Sequence, residues 1–162
     1  MSNTFNTAFL PHVALLSVMC FSATVDHGHA GTLRTAGGNL TVNGTVTASN
    51  VVVESGATLR GAGAIVGDVL VSGTVSLGVA PASTIGTQTV YGAVSFSTGS
   101  VFECHATGHT LLDRVNATGT VGGTCTVLVT TEASAIPVEQ IIVSGGSASD
   151  FSGFTSSNSG RW

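Results

Sequence analysis

Between Val53 and Leu77 the aliphatic residues of this chain keep a fixed beat. Val53, Leu59, Ile65, Val71 and Leu77 follow one another at six-residue intervals, and Gly61, Gly67 and Gly73 each stand two residues after a beat position. A globular core draws its apolar residues from helices and strands of unequal length and does not hold such a step. A backbone that returns to equivalent positions at fixed intervals does hold it, because each return adds one more short strand to a stack. The beat therefore predicts an all-β, repetitive architecture.

Composition separates this reading from a membrane protein. The chain is 43% hydrophobic and only 7% charged, yet its apolar residues alternate with Gly, Thr and Ser. That alternation suits strands with one buried face. Lysine is absent, the basic residues Arg34, Arg60, Arg114 and Arg161 are scattered, and the formal charge is −4. No cluster exists to neutralise phosphates, which excludes nucleic acid as a partner and argues against attachment to anionic lipid.

Residues 8–25 are mostly apolar, and Gly28-His29-Ala30 places small residues at −3 and −1 of a cleavage point before Gly31. This is the pattern of an export signal over residues 1–30. Residues 1–7 hold no Lys or Arg, so the amino terminus supplies the positive charge. The competing reading is an uncleaved anchor, for which the run is barely long enough. Cleavage removes Cys20 and leaves Cys104 and Cys125 in an oxidising compartment, with no membrane span in the mature chain.

After a Gly-rich lead-in at 31–39, strand candidates follow at 40–42, 51–53, 69–71, 75–77, 89–90, 94–96, 101–104, 111–115, 125–129 and 141–143, with a pause at 79–86. Asn43-Gly44 and Ser72-Gly73 supply corners that tolerate positive φ. The expected organisation is one β domain over 31–143. The Ser/Gly-rich tail, 144–162, is expected to be loosely held, with Phe151 and Phe154 as its anchors.

The run from Gly56 through Leu59, Gly61, Gly63, Ile65 and Gly67 to Val69 resembles the passenger-associated β-strand repeat of bacterial autotransporters, which has the form G-x-L-x-G-x-G-x-I-x-G-x-V. Further pieces follow in the family's order. They are Gly73 to Leu77, a loop at Pro81-Ala82-Ser83-Thr84-Ile85-Gly86 leading to Thr89-Val90, then Gly99-Ser100-Val101, Asp113 to Gly119, and Val121 to Val127. Pro81-Ala82 stands where the family has Pro-Gly. The resemblance covers about residues 40–154 and implies a right-handed parallel β-helix, exported to the cell surface or released, without enzymatic activity and without a cofactor. A left-handed hexapeptide β-helix is the structural alternative, since it shares the six-residue step, and a β-sandwich is a third. Asn158 and Gly160 interrupt the pattern a last barrel strand needs. The sequence leaves open a fragment of a longer passenger, a detached passenger, or a short relative exported by another route.

In the family register Cys104 and Cys125 occupy inward positions about one turn apart, so the resemblance implies a disulfide between adjacent turns, with two reduced thiols as the alternative. Val53, Leu59, Ile65, Val69, Val71, Val75, Leu77, Val94 and Phe96 are expected to face inward, with Thr74 and Ser76 outward.

Candidate chemistry concentrates at Glu103-Cys104-His105, His109 and Asp113, residue types that ligate zinc. They flank an apparent strand-to-strand loop, so a solvated loop with incidental histidines is the favoured reading. The carboxylates Glu54, Asp68, Glu103, Asp113, Glu132, Glu139 and Asp150 are dispersed, and the nucleophile-elbow and phosphate-loop motifs are absent. No catalytic, cofactor or metal residue is assigned. The expected partner is a surface ligand, a glycan or a cell-surface protein. The functional alternatives are a polysaccharide-active β-helix enzyme, lyase or hydrolase, and a spacer that holds another domain away from the cell.

Overall fold

The computed structural model describes residues 14–15, 31–78, 85–107, 111–131 and 142–156. All regular structure among them is β. The strands are β1 (Ala14–Leu15), β2 (Thr32–Thr35), β3 (Gly38–Thr41), β4 (Thr45–Val53), β5 (Ala57–Arg60), β6 (Ala64–Val71) and β7 (Thr74–Ser76). They continue with β8 (Thr87–Tyr91), β9 (Val94–Thr107), β10 (Leu111–Leu112), β11 (Arg114–Ala117), β12 (Val121–Thr131), β13 (Val143–Ser144) and β14 (Phe154–Ser156).

Pairing is parallel throughout, apart from the short β9–β10 hairpin. It resolves into three ladders that the chain visits in turn. The first aligns Leu33, Val51, Val69, Val94 and Val121. The second aligns Leu40, Leu59, Val75, Phe102 and Val127. The third aligns Val46, Ile65, Val90 and Ala117. Strands β4, β6 and β9 each serve two ladders by bending at a corner, so the ladders join into one sheet system. This arrangement is consistent with a β-helix or solenoid.

The six-residue beat now has a physical meaning. It is the length of one side: Leu59 lies in the second ladder, Ile65 in the third, Val71 in the first and Leu77 just beyond the second. From Leu33 to Val51 to Val69 the spacing is constant, and it lengthens from Val69 to Val94 to Val121, where the beat disappears.

Inward residues of all three ladders merge into one apolar core. Each of the nine residues expected to face inward is buried. Burying such a side chain contributes about 1.5–3 kcal/mol. Glycine is required at two corners. Gly67 has φ 136°, and a Cβ there would lie 1.8 Å from the Ala48 carbonyl oxygen of the preceding pass. Gly61 has φ 97°, and its Cβ would meet the Val42 carbonyl oxygen at 2.2 Å.

Two expectations are corrected. Ser76, expected outward, is only 2% exposed. It pairs with Glu103 on one side, and the Leu59–Val75 pair sets Arg60 one residue further along on the other, so two long side chains flank a short one. The lead-in at 31–39 contains β2, which forms because Asn50–Val53 offers it a partner edge. In the tail, for which Phe151 and Phe154 are the expected anchors, pairing runs as far as Ser156. Cys125, Thr126 and Val127 pair with Phe154, Thr155 and Ser156, and Phe154 meets Phe96 edge-on at 5.3 Å. Thr74 is half-exposed. Of the proposed signal only the backbone of Ala14–Leu15 is described, paired with Leu33 and Arg34; the rest of residues 1–30 and the tail beyond Ser156 lie outside the described residues.

Candidate functional site

Two features of the described chain place polar groups in a defined geometry. The first is the outer face of the second ladder. Asn39, Thr58, Thr74, Val101, Thr126 and Thr155 stand in one continuous row, each paired with the next. Alternation along the strands causes this, since Leu40, Leu59, Val75, Phe102 and Val127 beside them face the core. Parallel neighbours lie about 4.8 Å apart, so the row sets small polar side chains side by side, broken once by Val101. A second row beside it carries Arg60, Ser76, Glu103 and Leu128, and β9 continues outward to His105, beside the exposed Thr130.

The second feature is a buried carboxylate. The β9–β10 hairpin pairs Leu112 with Ala106 and so returns the chain to His105, where the Asp113 amide donates to the His105 carbonyl at 3.0 Å. The Asp113 side chain is completely buried. Its Oδ1 accepts the Gly86 amide at 2.7 Å. Its Oδ2 accepts the Gly78 amide at 3.1 Å and the His105 amide at 3.0 Å, and it lies 2.9 Å from His105 Nδ1. An ionised carboxylate can only accept, so Nδ1 carries a proton toward it, and in the neutral imidazole Nε2 is then the acceptor. Gly86 closes the segment 79–86 that the sequence marks as a pause, and Gly78 immediately precedes it. Asp113 thus ties Gly78 and Gly86 to β9.

Cys104 does not share this environment on the same side. It alternates with His105 and points into the core, fully buried, with its thiol donating to the Asp113 carbonyl at 3.6 Å. Burial, followed by the negative charge of Asp113, pushes the thiol up from 9.0 to about 12. Such a thiol is a core residue and not a nucleophile. Of the cluster flagged as zinc-like, the fold therefore brings His105 and Asp113 together, turns Cys104 inward and sets Glu103 on the outer wall; His109 lies outside the described residues.

The disulfide expectation is also corrected. Cys104 and Cys125 are both free and buried. Cys125 pairs with Ser100, and Cys104 pairs with Val129, four positions further along β12. Four strand residues correspond to about 13 Å, far outside the reach of a disulfide. The physical reason is the length of the pass, which carries Ser100 to Cys125 and exceeds the spacing between the two cysteines. Burial also raises the Cys125 thiol.

Two features escaped the sequence reading. Gly78 and Gly86 act through their amides, which no side-chain motif announces. Gln88 is buried opposite Val115, with Nε2 donating to the Gly63 carbonyl at 2.9 Å and Oε1 without a hydrogen-bond partner among the described residues.

Comparison with known protein families, curated proteins and solved structures finds no match.

Proposed function

We propose that this chain is an exported, non-enzymatic, right-handed parallel β-helix of the autotransporter-passenger kind, acting by contact at or beyond the cell surface. The observation that carries the reading is the outer row of the second ladder, from Asn39 to Thr155. It crosses every described strand of that ladder and presents hydroxyls and an amide, interrupted once by Val101, over an apolar interior. A wall of that kind suits recognition of another polar surface by many weak contacts.

A second reading, a polysaccharide-active enzyme, draws on the His105–Asp113 pair, because a buried carboxylate that orients an imidazole leaves Nε2 as a base. The first reading is favoured by what else Asp113 does. Three of its four contacts among the described residues are backbone amides, and two of those belong to Gly78 and Gly86, far from Asp113 in sequence. That is the work of a structural tie.

The test has two arms. Surfaces coated with the mature protein should retain cells or immobilised glycans, and N-terminal sequencing of the exported protein should begin at Gly31. Failure of coated surfaces to retain either overturns the contact role. Release of reducing or unsaturated ends from a polysaccharide panel replaces it with the enzyme.

A further inference from the structure

We propose that the Arg60 side of the second-ladder wall is a binding site for a carboxylated glycan, with Arg60 taking the uronate carboxylate and the neighbouring hydroxyl row taking sugar hydroxyls. This rests on the contact role proposed above and specifies its ligand.

The three arginines of the described chain differ in one respect. Arg34 is paired with Glu54 across two passes, and Arg114 is engaged within the fold. No ion pair joins Arg60 to a carboxylate among the described residues. Its Nε is covered and has no hydrogen-bond acceptor among the described residues. A covered N–H without a partner is unfavourable, more so on a charged group. The arm therefore gains by lifting away from the wall toward an acceptor that can engage Nε and an Nη together. A carboxylate does this in the side-on bidentate geometry, which a lone hydroxyl cannot reproduce.

The surroundings favour a sugar over a peptide. Thr41 and Ser76 flank Arg60 in its own row, while Thr58 and Thr74 lie in the row beside it. Ser76 is buried in the resting arrangement, and movement of Arg60 would expose it. Glu103, one pass beyond Ser76, can accept from sugar hydroxyls. The rows repeat about every 4.8 Å, close to the length of one hexose in an extended chain, so a glycan lying across the passes meets polar groups sugar after sugar. An acidic peptide adding as a strand would require a free edge, and β5 and β7, which carry Arg60 and Ser76, are each paired on both sides.

Binding of the mature protein to polygalacturonate, to its fully methyl-esterified form and to polyglutamate tests the proposal, with thermal melting recorded for every variant. Polygalacturonate should bind, and the ester, which keeps the sugars and loses the charge, should bind at least tenfold more weakly. Arg60→Gln should weaken polygalacturonate at least tenfold, Arg60→Lys should recover only part of it, and Arg34→Gln should leave it unchanged. Equal binding of ester and acid overturns the proposal without any variant, and so does a folded Arg60→Gln protein that binds as wild type. Stronger binding of polyglutamate reassigns the site to an acidic peptide and overturns it. If coated surfaces retain cells or neutral glycans independently of Arg60, the contact role stands and this ligand assignment falls. If they retain nothing, both fall.

Discussion

Replacing Asp113 with Asn tests the tie between Gly78, Gly86 and His105 with almost no change in volume. The carboxylate has two accepting atoms, and the amide has one. The better orientation keeps the carbonyl on the Oδ2 side, where it faces the amides of Gly78 and His105 and the His105 ring. The new NH2 group then points at the Gly86 amide, which the Oδ1 atom accepts at 2.7 Å in the native protein. One buried backbone N–H loses its acceptor, at about 1–3 kcal/mol. The remaining bonds change from charge-assisted to neutral and lose about half their strength. Together these give about 3–5 kcal/mol, the range typical for breaking a buried charged pair. That is a large share of a stability of about 5–15 kcal/mol. Urea unfolding should show a midpoint lowered in proportion, with an unchanged slope. Hydrogen exchange should show the Gly78 and Gly86 amides protected in the native protein and released in Asp113→Asn. A loss below about 1 kcal/mol, with both amides still protected, would refute the tie.

Further outcomes follow from other positions. Ile65→Asp puts an unpaired charge in the core and should abolish the cooperative melt seen by circular dichroism; an unchanged melt would contradict the inward register. Gly67→Ala should lower stability by at least about 1–3 kcal/mol from backbone strain alone, before the clash with Ala48 is counted, and denaturant titration measures it. Cys104 and Cys125 should resist alkylation in the folded protein and react fully in denaturant without reductant; silence in denaturant would restore the disulfide. The Cys104 thiol also gives a pH dependence. Its folded value of about 12 exceeds the usual 9.0, so its neutral form favours folding fully below pH 9. That contribution declines as pH rises from 9 toward about 12, because only the unfolded thiol ionises in that window. Cys104→Ala should remove this part of the alkaline decline in stability.

The apolar side of the fold was legible because it obeys a period. Val53, Leu59, Ile65 and Val71 announce buried positions through spacing alone, and alternation within each strand then assigns Val69, Val75, Val94 and Phe96. What the sequence concealed depends on partners in other passes. Strand β2 has little apolar content and forms on the edge of β4. Ser76 looks like an outward residue until its ladder neighbours are known. Cys104 and Cys125 seemed to lie one turn apart because the length of a turn was taken as fixed, whereas passes lengthen along the chain. The Asp113 tie is partly visible, since the carboxylate and His105 stand out. Its other ligands are main-chain amides, and their convergence follows from the hairpin and the corner geometry, which leave no residue-type signature.

The central claim is that the chain passes in turn through three parallel ladders, and backbone nuclear Overhauser contacts in the isotopically labelled protein test it most directly. The account predicts amide-to-Hα contacts linking the neighbourhoods of Val51 and Val69, Val69 and Val94, and Val94 and Val121, with a matching series through Leu59, Val75, Phe102 and Val127. Contacts joining sequence-adjacent strands instead, such as Val69 with Val75 in an antiparallel meander, would contradict it.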